Sequence, residues 1–299
     1  MFALQALRSD QFSWQAALSL AGAANASYEL DASKLRATVI GQWKFKEMAP
    51  MGAGVAQGFL AATDDVLLLA FRGSDTFTDW FNNLDVLPAA DMFDGISVIV
   101  SQGFLAVFGG LRRAVAAAIS SPSSANRKIW LTGHSLGGAL AAIAATEFAH
   151  TGRITGLHTF GQPQLGDAAM AGYFNARLAG RSKRFVNNRD PVTRLPLGYQ
   201  HVGTLVRFNT AGDLDPTGLE RMDAAVELPP LSQAEFERFQ RQVKAGSPIL
   251  EAHANFNELQ VPDQPGDKTF GFDLGDVYPD LKDHYMANYV ACLERQQIA

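Results

Sequence analysis

The apolar and polar positions alternate in blocks along the chain, and the blocks change period several times. Residues 11–26 are rich in alanine and read as a helix. Residues 37–48 alternate from Trp43 onward, which predicts an exposed antiparallel strand. Val55 to Ala62 and Val66 to Phe71 flank Thr63-Asp64-Asp65 as a hairpin. The second of these runs is apolar on both faces and so belongs in the middle of a sheet. Phe77, Trp80, Phe81 and Leu84 fall at i, i+3, i+4 and i+7 of a helix over 75–84. Periodicity alone makes that an ordinary surface helix. Residues 104–119 form another helix, with Arg112 and Arg113 on its wet side.

Ile129 to Thr132 is a buried strand that meets Gly133-His134-Ser135-Leu136-Gly137, and a small-residue helix to His150 follows at once. Strand 156–161, helix 167–178 and strand 184–188 continue the alternation. That order predicts a mostly parallel central sheet with helices on both faces, in which ligands meet the loops at strand carboxyl ends. From about 211 to 275 prolines break the pattern. Within that stretch Ser232 and Glu235 make a capping box, with Leu231 placed to staple onto Phe236. We read 211–275 as an insertion over one domain spanning 1–299, because so short a stretch carries little core of its own. A last helix, 285–293, sets Met286, Tyr289, Val290 and Leu293 on one face.

Composition narrows the chemistry. A 47% hydrophobic, 18% charged chain is globular, and its net charge of −5 leaves no basic stripe for nucleic acid. The single cysteine, Cys292, excludes an intrachain disulfide and reads as core. No Cys/His cluster has metal spacing, and no apolar run reaches the length of a membrane span. The 16–26 stretch resembles a leader only weakly, so an N-terminal helix and a soluble chain, cytoplasmic in preference to exported, are expected.

The candidate chemistry lies in Gly-x-Ser-x-Gly between a strand and a helix. Its turn exposes the Ser135 hydroxyl above the sheet, and the N–H of Leu136 opens the helix beside it. Ser74, at the end of a central strand in Arg72-Gly73-Ser74, offers a second N–H for an oxyanion. A nucleophilic serine requires an acid and then a histidine further along the chain. Asp190 follows a strand, whereas Asp167 begins a helix. For the base, order and position leave His201 and His284 both open.

The motifs Phe71-Arg-Gly-Ser74, Gly133-His-Ser-Leu-Gly-Gly138, Phe160-Gly-Gln-Pro163, Asn188-Arg-Asp-Pro-Val-Thr-Arg-Leu-Pro196 and Tyr278-Pro-Asp-Leu-Lys-Asp-His284 resemble those of the class 3 (fungal-lipase-like) lipases. The match covers roughly residues 15–210 and 277–293. It implies an α/β-hydrolase fold with the triad Ser135, Asp190 and His284, and an oxyanion hole at Ser74 and Leu136. The resemblance also makes residues 74–86 a lid, whose Phe77, Trp80, Phe81 and Leu84 would meet substrate or a lipid interface. It implies a carboxylic ester hydrolase needing no cofactor or metal, acting on acylglycerols. Phospholipase A1 and aryl or feruloyl esterase are the alternatives within enzymes, and a non-catalytic lipase-like binding protein is the alternative outside them. Two departures from the family are the missing disulfides and the long insertion.

Overall fold

The computed structural model describes residues 2–54, 56–74, 87–178, 180–215, 227–241 and 281–297. Seven strands form its main sheet: β1 (Glu47–Ala53), β2 (Ala56–Ala62), β3 (Val66–Phe71), β6 (Lys128–His134), β7 (Ile154–Phe160), β8 (Ser182–Asn187) and β9 (Thr204–Phe208), side by side in that order. The first three pair antiparallel, and every pairing from β3 to β9 is parallel. β3 is buried at all six positions, as a mid-sheet strand apolar on both faces must be. β4 (Pro88–Phe93) and β5 (Ile96–Ser101) make a separate antiparallel pair that the polarity pattern did not announce.

Helices cover both faces. On one side lie α3 (Gln102–Ser120), α4 (Leu136–Glu147) and α5 (Ala168–Leu178). α3 buries Phe104, Phe108, Leu111, Val115 and Ile119, steps of three or four that keep one stripe against the sheet. α4 is buried at every position from Leu136 to Thr146, and its alanines and glycines let the helix approach β6 and β7 closely. On the other side lie α1 (Trp14–Ala26) and α6 (Met286–Gln296), whose Tyr289, Cys292 and Leu293 share a core with Phe160, Phe185 and Phe208. α3 is also long and apolar enough to cross a membrane by length and composition, which the sequence reading denied for the chain. Its apolar stripe is occupied by the core, and Arg112 on the other side is bonded to Glu147 and Asp91.

The strand expected over 37–48 is a correction. Asp31 caps α2 (Ala32–Arg36) by accepting from the N–H groups of Ser33 and Lys34, and a π turn continues it over Ala37–Gln42. Leu35 and Val39 are buried four residues apart, a helical spacing that outweighs the alternation beginning at Trp43. Extended chain begins only at Glu47.

The insertion is described at 211–215 and 227–241. Residues 233–241 are helical, and Ser232 and Glu235 exchange the expected capping-box bonds. Leu231 and Phe239 are buried in the same core as α3 and α4. Arg194 Nε donates to the carbonyl of Pro229 at 2.8 Å, so this strap is tied to the loop after β8.

Candidate active site

β6 ends in a sharp turn. Ser135 has φ 56° and ψ −129°, a conformation that costs a non-glycine residue on the order of 1–3 kcal/mol and clusters at functional sites. The turn requires glycine on both sides. A Cβ on Gly133 would lie 2.2 Å from the carbonyl oxygen of Gly137, and one on Gly137 would lie 2.2 Å from that of Phe71. The Ser135 N–H is held by the carbonyl of Phe160 at 2.9 Å on the neighbouring strand. Leu136 is the first residue of α4, where helix N–H groups lack intrahelical partners and favour negative charge. The close approach of Gly137 to Phe71 brings the end of β3, and half-buried Ser74 just beyond it, against the elbow. Phe77, Trp80, Phe81 and Leu84 lie outside the described residues.

Asp190 and His284 meet across 94 residues of sequence. Asp190, fully buried after β8, places Oδ2 2.8 Å from Nδ1 of His284, which is 2% exposed. Its other oxygen, Oδ1, accepts from the N–H of Val192 at 2.9 Å. Burial works to raise the Asp190 carboxyl. The charge and hydrogen bond of His284, the hydroxyl of Tyr289 and the charge of His134 together outweigh it and hold the group below its ordinary range. An ionised Asp190 fixes the hydrogen of a neutral His284 on Nδ1 and leaves Nε2 as the basic atom. Gly161 makes room for the pair: a Cβ there would fall 2.8 Å from both Cε1 and Nδ1 of His284 and 3.0 Å from Oδ2 of Asp190. A serine in a strained elbow with a buried carboxylate–imidazole pair can carry out nucleophilic acyl transfer.

Residues 68–200 match the family model described as lipase (class 3). This segment belongs to the class 3 lipase family. It contains Ser74, Ser135, Leu136 and Asp190, whereas His284 lies outside it. A secreted mono- and diacylglycerol lipase 1 of Fusarium solani is 32% identical over 160 residues, covering 50% of this chain and 47% of the relative. The phospholipase A1 EG1, chloroplastic/mitochondrial, of Oryza sativa subsp. indica is 30% identical over 209 residues, covering 57% and 46%. The chain thus spans about half the length of the curated relatives it matches. Among solved structures, lipase II from Rhizopus niveus superposes with a TM-score of 0.55 at 21% identity, over 66% of this chain and 81% of that one. That likeness shows the α/β-hydrolase fold.

Around the class 3 lipase elbow the structure adds residues that the sequence did not flag. Tyr289, read as a core residue of the last helix, donates its hydroxyl to Asp190 Oδ2 at 2.6 Å and accepts from the N–H of Asn187 at 3.1 Å. Burial and the neighbouring Asp190 charge push its own pKa well above the usual phenol value, so the proton stays available for donation. Asp283 accepts from the Asn188 amide at 2.8 Å and pins the acid loop to the segment carrying His284. His201, the rival base, lies apart from these residues. Burial and then Arg184 depress it well below its usual value, and its Nε2 is 3.8 Å from Glu227 of the strap. Arg184 is 1% exposed and bonds Glu227. Among the described residues no group of three or more His, Cys, Asp or Glu could hold a metal ion.

Proposed function

We propose that the chain hydrolyses carboxylic esters, acylglycerols in the first place, through an acyl-enzyme on Ser135. The observation that carries the reading is the 2.8 Å bond between buried Asp190 and His284, with the strained Ser135 elbow on the adjoining strand end. His284 Nε2 takes the Ser135 proton as Oγ attacks the acyl carbonyl, and Asp190 stabilises the imidazolium that forms. The N–H groups of Ser74 and Leu136 receive the oxyanion, each contributing about 3 kcal/mol to lowering the barrier. Collapse expels the alcohol, which leaves with the proton from His284. Water, deprotonated by the same histidine, then releases the fatty acid and restores Ser135.

Several features extend the reading. The burial of Leu231 and Phe239 in the main core supports one domain that includes the insertion. The apolar stripe of Phe77, Trp80, Phe81 and Leu84 supports a lid that meets a lipid surface. The rice relative supports phospholipase A1 activity as the second reading. The secreted lipases among the relatives do not favour a cytoplasmic compartment.

The test is labelling with a fluorophosphonate, followed by assay on a soluble p-nitrophenyl ester, emulsified triolein and phosphatidylcholine vesicles. Labelling should require Ser135, and Ser135→Ala should lose all but a trace of turnover while retaining its circular dichroism. Triolein turnover well above phosphatidylcholine turnover supports the acylglycerol reading, and the reverse order supports phospholipase A1. A rate that jumps at the ester's solubility limit, and jumps less in Trp80→Ser, supports the lid. A Ser135→Ala protein that keeps more than a few per cent of activity would sink the nucleophile assignment.

A further inference from the structure

His134 is the last residue of β6, directly before Ser135, and is 6% exposed. Its ring rests on that of His284, with centroids 4.6 Å apart and planes inclined by 31°. Its Nε2 is 2.8 Å from the backbone carbonyl of His284, and its Nδ1 is 3.0 Å from the hydroxyl of Tyr28. A carbonyl only accepts, so Nε2 carries the hydrogen of a neutral His134. Nδ1 is then a lone pair, and the Tyr28 O–H donates to it. Burial above all, and then the charge of His284, bring His134 down to about 3, so it remains neutral at working pH. Tyr28 also reaches the oxyanion side. A Cβ on Gly73 would fall 2.1 Å from the Tyr28 hydroxyl and 2.8 Å from the His134 carbonyl oxygen.

We propose that Tyr28 and His134 act as a positioning relay, which fixes the backbone of His284 and through it the aim of the imidazole at Ser135. The proposal rests on the triad reading given above. The Asp190 bond holds the His284 ring at Nδ1. The His134 bond to the His284 carbonyl holds the residue at a second point, and Tyr28 holds His134. The chain of contacts runs from the segment after α1, through the residue before the nucleophile, to the base. Neutrality of His134 is part of the device, since a cation in stacking contact would oppose the imidazolium formed during attack. The groups around His134 are Tyr28 from the segment after α1, His284 from the turn before α6, Asp190 from the loop after β8, and the Tyr289 ring of α6 at 6.1 Å.

The experiment is steady-state kinetics of the full chain on a soluble short-chain p-nitrophenyl ester near neutral pH, with thermal melts to confirm folding. Tyr28→Phe should lower kcat about tenfold with KM unchanged, the size of one lost hydrogen bond. His134→Ala should lower kcat about a hundredfold, the scale of a misplaced catalytic group. His134→Gln, whose amide N–H reaches toward the same carbonyl, should recover about tenfold over His134→Ala. Adding Tyr28→Phe to His134→Ala should cost nothing further, because both act through one path. Independent, multiplying losses in the double variant would overturn the relay, as would a loss confined to KM or a His134→Gln no better than His134→Ala. If His134→Ala fails to fold, the Tyr28→Phe and His134→Gln measurements decide alone. Ser135→Ala separates the two readings. An active Ser135→Ala protein removes the triad, whereas an inactive one beside Tyr28→Phe and His134→Gln proteins of full kcat removes only the relay.

Discussion

At the scale of single residues, Asp190 Oδ2 is shared by two donors, His284 and Tyr289, both from the last described segment of chain. Tyr289→Phe removes one donor and leaves the Asn187 N–H without its acceptor, at a cost of about 1–3 kcal/mol in stability. Asp190 then loses part of what holds its pKa down, so its pKa rises and the acid limb of the activity profile moves toward neutral. A kcat/KM–pH profile on a soluble ester checks this, and an unmoved acid limb would confine Tyr289 to packing. Ser135 was legible in the sequence because two glycines and a strand-to-helix change mark it locally. Order and position leaned toward His284 over His201 without deciding between them, since the acid that must meet the base lies far along the chain, and the family motif favoured His284. Tyr28, His134 and Tyr289 escaped for the same reason. A tyrosine on a core face looks the same whether or not its hydroxyl meets a carboxylate.

At the scale of elements, the strap over 227–241 is bound at two places, to the acid loop and to β8. Arg194 reaches the Pro229 and Pro230 carbonyls, and buried Arg184 bonds Glu227. Glu227→Ala leaves the Arg184 charge buried without its carboxylate. The expected loss is about 2 kcal/mol, below the range for a fully buried pair because Glu227 is half exposed. Urea unfolding of the variant measures it, and an unchanged midpoint would mean that water already screens the pair. Arg184→Met with Glu227→Ala should recover most of the loss, since no uncompensated charge remains. Long elements with a clear period, α3 above all, were legible in the sequence. The π turn over 37–42 reads as strand because two aromatic residues beyond it, Trp43 and Phe45, alternate like one. The β4–β5 pair is short and half exposed and β9 is only five residues long, so their sequences carry too little pattern to announce them.

At the scale of the whole molecule, three histidines with lowered pKa weaken the fold in acid, two of them buried and the third, His201, largely so. His134 and His158 are brought down to about 3, mainly by burial, and His201 is also well below its usual value. An unfolded histidine titrates near 6.5, so below that pH the unfolded chain binds protons that the native one refuses. The stability these residues allow is complete above about 6.5 and is lost as pH falls toward about 3. At pH 5 His134 and His158 each account for on the order of 2 kcal/mol. Asp190, held below its ordinary range, adds a loss of the same sign in more acid solution. His158 packs among Phe12, Trp130 and Phe185, and its Nδ1 has no hydrogen-bond partner among the described residues. His158→Phe should therefore move the acid-unfolding midpoint, followed by circular dichroism, to lower pH. A midpoint that stays in place would show that His158 does not govern acid unfolding.

The contacts that assemble the site join distant parts of the chain: 94 residues separate Asp190 from His284, 106 separate Tyr28 from His134, and 150 separate His134 from His284. Contacts of such separation close late, because the entropy of each loop opposes them until the rest of the sheet is in place. A refolding chain therefore regains helix and strand signal before it regains a serine that a fluorophosphonate can label. The interval between those two recoveries is a clock for the last closure, and variants of Tyr28 or His134 should lengthen it.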